Sequence, residues 1–116
     1  MNKKYLIQIL PEAEDFLDYF AEDLVAGGYK INYEYATKMV DDIIDFIYEI
    51  PNVMHHSIPQ EFQYHFERYG SNLKYACFKR KSSPQTTWYV FFQIRENRIL
   101  VKHISNNWTE GHYLRE

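Results

Sequence analysis

The chain has 116 residues, of which 46% are hydrophobic and 18% aromatic; that suffices for one core over residues 1–116, and the rings exclude a disordered chain, which lacks surface to offset ordering entropy. The lone Cys77 excludes an internal disulfide or a cysteine-rich zinc site, and no run approaches the ~20 apolar residues that span a bilayer, so a soluble cytoplasmic protein is expected. A net charge of −3 hides a split, with 4 Lys/Arg against 11 Asp/Glu in residues 1–50 and 9 against 5 in residues 51–116; an anionic partner for the later half, or acidic solvated helix faces in the earlier one, would each account for it.

The run YLIQIL at residues 5–10 reads as a strand, stopped by Pro11, which suits the first position of a helix. Glu12, Glu14 and Asp15 then lie beside the positive helix end, and Ala13, Phe16, Leu17, Phe20 and Leu24 recur at helical spacing up to Gly27-Gly28. A second helix opens with Asn32 as its cap and carries the stripe Ala36, Met39, Val40, Ile43, Ile47 and Ile50. Asp41, Asp42 and Asp45 fall off that stripe and are expected to face water, and Pro51 ends the run. The two helices form a hairpin with one shared apolar face.

Residues 51–72 mix Pro, His and aromatics without a period and read as an irregular, partly packed connection with one short extended piece. Residues 73–81 alternate as a strand, SSPQT is a loop, and residues 87–95 and 98–105 are strands joined by the turn Glu96-Asn97. The order predicts an α+β domain: an N-terminal strand and a two-helix hairpin packed on a small antiparallel sheet completed by three C-terminal strands, with a polar tail over residues 106–116.

A two-residue turn pairs Ile94 with Ile99, Phe92 with Val101 and Val90 with His103, which turns His103 toward the helices. Tyr89, Phe91, Gln93, Arg95, Arg98, Leu100, Lys102 and Ile104 then share the other face, a mixed surface for nucleic acid or for an extended protein segment, or an ordinary solvent face under Lys and Arg stems. His55-His56 have no second ligand pair at metal spacing, so neither metal nor cofactor is expected; His65 and Cys77 read as packing residues. His103 is either a core histidine or a general acid/base, and His112 and Tyr113 belong to a tail that is loose or closes over a site.

The element order, with PEAEDFLDYFAEDL and TTWYVFFQIRENRILVKHI, resembles the RelE/ParE superfamily of bacterial toxins over residues 5–104. The resemblance implies the toxin of a type II toxin–antitoxin pair, bound by a cognate antitoxin and acting without a cofactor. RelE-like members cleave messenger RNA on the ribosome; ParE-like members act on DNA gyrase; a relative without activity would be a protein-binding module. For the ribonuclease branch it implies phosphate contacts from Lys74, Lys79, Arg80 and Lys81 and proton transfer by His103 or Tyr113. The chain departs from that branch at Trp88-Tyr89, where several members carry a catalytic Arg, and at SNNW after Ile104, in place of a basic or His-Tyr ending.

Overall fold

A computed structural model describes residues 4–27 and 32–114. The elements run β1 (Leu6–Ile9), α1 (Pro11–Ala26), α2 (Tyr33–Glu49), β2 (His56–Ser57), β3 (Lys74–Arg80), β4 (Ser83–Arg95), β5 (Arg98–Asn106) and α3 (Asn107–Glu110), with 3-10 turns at Ile50–Asn52, Gln60–Tyr69 and Gly111–Tyr113. Pro11 opens α1 as expected, and Gly27 closes it by donating its N–H to the Asp23 carbonyl at 2.9 Å. Gly28, the other half of the expected stop, lies outside the described residues. Asn32 caps α2, its Oδ1 accepting from the Tyr35 N–H at 2.7 Å, and the whole apolar stripe of that helix is buried.

The sheet has five strands in the order β1-β5-β4-β3-β2. It is mixed, which corrects the expected antiparallel sheet: β1 runs parallel to β5, with Leu6 opposite Arg98 and Ile9 opposite Val101. Two helices intervene between β1 and the later strands, so nothing obliges the antiparallel sense that a tight hairpin imposes. β4 begins at Ser83, so most of the expected SSPQT loop is strand. Within residues 51–72 the short extended piece exists as β2, paired with β3.

A β-bulge changes the register that counting from the turn predicts. Ile94 pairs with Ile99 and Phe92 with Val101 as expected, but Phe91 then pairs with His103 and Val90 with Ile104, leaving Lys102 as the extra residue. One extra residue resets the two-residue alternation. Ile104 therefore joins Ile99, Val101, Val90, Phe92 and Trp88 in the core under α1 and α2, and His103 turns to the opposite face. The expected Val90–His103 pair and the helix-facing His103 are both wrong for this reason.

The opposite face is not the open mixed surface the alternation suggested. The 3-10 segment Gln60–Tyr69 lies over it, and Ile58, Phe66, Tyr69, Leu73, Tyr75, Tyr89 and Phe91 form a second buried cluster. Phe66 stacks on Phe91 with ring centroids 5.0 Å apart. Residues 106–114 dock as well: Asn106 Oδ1 accepts from the N–H groups of Trp108 and Thr109, and Tyr113 packs on Phe62 and Phe66. The polar tail is, over these residues, part of the packed domain. Among the described residues no helix is long and apolar enough to cross a membrane.

Candidate functional site

The bulge places His103 at the rim of the sheet, where three other elements converge on it. Pro11 starts α1 beside the end of β1, so Glu12 in the first helical turn reaches His103, with Oε2 3.0 Å from Nδ1. The other ring nitrogen, Nε2, lies 2.8 Å from Glu110 Oε1. Carboxylate oxygens only accept, so both contacts are satisfied together when the ring carries hydrogen on both nitrogens. Tyr69, from the 3-10 segment, stacks on the imidazole at 4.6 Å and fixes its plane.

Glu110 is the hub of this arrangement. Its side chain is 8% exposed, and its second oxygen, Oε2, sits 3.2 Å from His65 Nε2. Burial pushes the Glu110 carboxyl up, but hydrogen bonds from His103, Ser105 and His65 outweigh that cost and hold it below its ordinary value. Its position depends on α3, a single turn held at two points. Asn106 caps the turn, and Asn107 accepts from the Thr87 N–H at 2.8 Å and donates to the Gln85 carbonyl at 3.1 Å, pinning α3 to β4.

His65 stacks on Tyr113 with centroids 3.7 Å apart, and Arg68 lies over the Tyr69 ring at 4.7 Å and donates to its hydroxyl. Burial of the Tyr69 phenol, opposed by that Arg68 contact, pushes its pKa up to about 12, so it is a neutral ring under His103 at neutral pH. His65, Arg68, His103, Glu110 and Tyr113 line a cleft of about 500 Å³ whose remaining wall includes Phe16 and Phe20 of α1. Glu12 and Glu110 differ sharply here: Glu12 is 58% exposed and covers His103 from the solvent side, whereas Glu110 anchors it from inside.

The residues singled out from the sequence separate into two groups. His103 and Tyr113 line this one cleft. The basic run does not join them. Strand alternation splits it: Arg80 turns to the helix side, where its Nε donates to Asp42 at 2.7 Å and its guanidinium lies over the Tyr35 ring at 5.2 Å, while Lys79 is exposed. Arg80 is 6% exposed and ties β3 to α2, so it is placed as a structural cation, and Asp42 is its partner in place of the free solvated carboxylate expected. Lys79 lies four residues along β3 from Tyr75, about 13 Å, and β3 is two strands, about 10 Å, from β5. Lys81 is exposed in the β3–β4 turn, further still from the histidines. Lys74 borders a separate hollow of about 600 Å³ with Ser57, Gln63, Tyr64 and Asn72.

Trp88 and Tyr89, standing where the resemblance calls for a strand Arg, are 3% and 1% exposed and serve the two cores. Trp88 meets Phe20 edge-on at 5.5 Å on the helix side, and Tyr89 meets Tyr75 at 5.8 Å on the other. The sequence reading missed His65, Arg68, Glu12 and Glu110. Only Glu110 had a local signal, the Asn106 cap four residues before it; His65 and Glu12 join the site through contacts 45 and 91 residues apart in the chain, and Arg68 borders the same cleft. Among the described residues no three His, Cys, Asp or Glu side chains are grouped so as to hold a metal ion. No protein-family model, curated protein or solved structure matches the chain.

Proposed function

We propose that this chain is the toxin of a type II toxin–antitoxin pair, of the RelE-like kind that cuts messenger RNA at the ribosome, in the cytoplasm, and is held inactive by a cognate antitoxin. One observation carries the reading: His103 and Tyr113 line a cleft that also holds His65, Arg68 and a buried carboxylate orienting both imidazoles. The order of strand, two helices and three closing strands, with the helices on one face, supports it. Cleavage of RNA by internal transfer needs a base for the 2′-hydroxyl proton, an acid for the 5′-oxygen and a cation for the phosphate. The 2′-oxygen bonds to phosphorus, the bond from phosphorus to the 5′-oxygen breaks, and the products are a 2′,3′-cyclic phosphate and a 5′-hydroxyl. His103, steadied by Glu110 as the triad carboxylate steadies its histidine, moves one of these protons. Arg68 supplies the cation.

Induced expression tests the proposal. Growth should stop, and RNA ends mapped in arrested cells should fall within translated messages. The His103→Ala variant should grow like an uninduced culture while accumulating folded protein. Arrest with a DNA-damage response and intact messages would instead identify a gyrase inhibitor. No arrest at all would leave a binding module. Replacing Lys79 and Lys81 together by Ala should weaken arrest far less than His103→Ala does, because neither borders the cleft; equal loss would move the site to the β3–β4 end.

A further inference from the structure

We infer that the cleft between α1 and the Gln60–Tyr69 segment is a nucleotide subsite, taking a nucleoside 3′-phosphate with the phosphate held among His65, His103 and Arg68 and the base against Phe16 and Phe20. The inference deepens the ribonuclease reading and rests on it for the 3′ direction of the chain. Its parts are independent of each other. The polar half consists of two imidazoles that Glu110 holds by Nε2, at 2.8 Å for His103 and 3.2 Å for His65, while Nδ1 of His103 faces the exposed Glu12. Arg68 lies on the same wall, one turn from His65, and is the charged donor suited to a phosphate oxygen.

The apolar half is two rings stacked at 4.7 Å, Phe16 and Phe20, each only partly buried although both pack on Trp88. A partly exposed aromatic pair lining one cleft with two histidines and an arginine matches the two ends of a nucleotide, a flat π surface and a compact anion. Glu12, 3.0 Å from His103 Nδ1 and well exposed, sets a carboxylate where the phosphate would lie; as a long side chain on the first helical turn it can swing aside when a phosphate takes its contact. Glu110 remains behind the rings and keeps them aligned, while Tyr69 and Tyr113 hold their planes by stacking.

The experiment is a nuclear magnetic resonance titration of the 116-residue chain, reading the imidazole nitrogens of His65 and His103. Adenosine 3′-monophosphate, adenosine and inorganic phosphate are the probes. Expected are shifts of both histidines along one binding curve for the nucleotide, weaker binding of inorganic phosphate and weakest of adenosine. Phe20→Leu should weaken nucleotide binding about tenfold, within the range that a base–aromatic contact carries, while leaving inorganic phosphate affinity unchanged, which also shows that the variant keeps its cleft. Unmoved imidazoles, or an unchanged ratio of nucleotide to phosphate affinity in Phe20→Leu, overturn the inference. The titration needs no ribosome and no turnover. Nucleotide binding in a protein that fails to arrest growth would therefore sink the toxin reading alone.

Discussion

Glu110 illustrates how one side chain answers several demands. A carboxylate with an 8% exposed side chain is costly unless its lone pairs are filled, and two imidazoles and Ser105 fill them. Its folded pKa lies below the unfolded value of about 4.5, so the unfolded chain binds the extra proton in acid. The stability this carboxylate contributes is therefore present above that value and is lost as pH falls through the lower, folded pKa. Thermal melts should show the midpoint dropping below about pH 4.5, with a shallower drop in Glu110→Gln. At pH 7 the same variant should lose about 1–3 kcal/mol in urea unfolding, since the amide puts an N–H2 donor where one of the two carboxylate oxygens met a ring nitrogen. An identical acid slope in parent and variant would show that other carboxylates carry the effect. Histidine and glutamate types are visible in the sequence, but nothing in the spacing of residues 65, 103 and 110 announces that they meet.

At the scale of elements, the bulge in β5 and the single turn α3 matter most, because they aim His103 and Glu110. Lys102 is the unpaired residue of the bulge. Deleting it should leave Phe91 opposite His103 and Val90 opposite Ile104, since removing the extra residue restores plain alternation with the same faces. The deletion should then cost no more than an ordinary substitution, about 0.5–3 kcal/mol, and cross-strand contacts between Phe91 and His103 should persist in the spectrum. If the strand were regular instead, the same deletion would push Ile104 out of the core and unfold the sheet edge. Asn106→Ala removes the α3 cap, worth about 1 kcal/mol. Its clearer mark should be faster amide exchange across residues 107–113, with β4 unchanged; unaltered exchange there would show that Asn107 alone holds the turn. The starts and apolar stripes of the helices, by contrast, were legible: Pro11, Asn32 and the two stripes are local signals, and local signals are what periodicity reports.

Across the whole molecule, β4 is the shared wall of two cores. Val90 and Phe92 face α1 and α2, while Tyr89 and Phe91 face the Gln60–Tyr69 segment. Because successive residues of one strand serve opposite clusters, neither core can melt without disturbing the other. Ile43→Ala on the helix side and Phe66→Ala on the other should each cost about 2–5 kcal/mol. Both should lower the same single urea transition, whether followed by Trp88 fluorescence or by helix content. Two separable transitions in Phe66→Ala would mean that the 3-10 layer is an independent appendage. The layer covers the sheet face that the hairpin alone would have left open, and leaves the His103 cleft at the rim beside α1.

The sequence by itself determined the elements with strong local period and punctuation: β1, the two helices with their start signals, and the three C-terminal strands around Glu96-Asn97. It also determined the sense of the first hydrophobic stripes, since helical and strand periods dictate which residues share a face. Only the tertiary structure decided the parallel pairing of β1, the inversion of His103 by one inserted residue, the splitting of Lys79-Arg80-Lys81 between two faces, and the packing of residues 58–69 and 106–114 over the sheet. The physical reason is the same in each case. These outcomes depend on which distant groups compete for a buried partner or a hydrogen bond, and a contact between Glu12 and His103 spans 91 positions of chain. Periodicity carries no information about such separations; packing settles them.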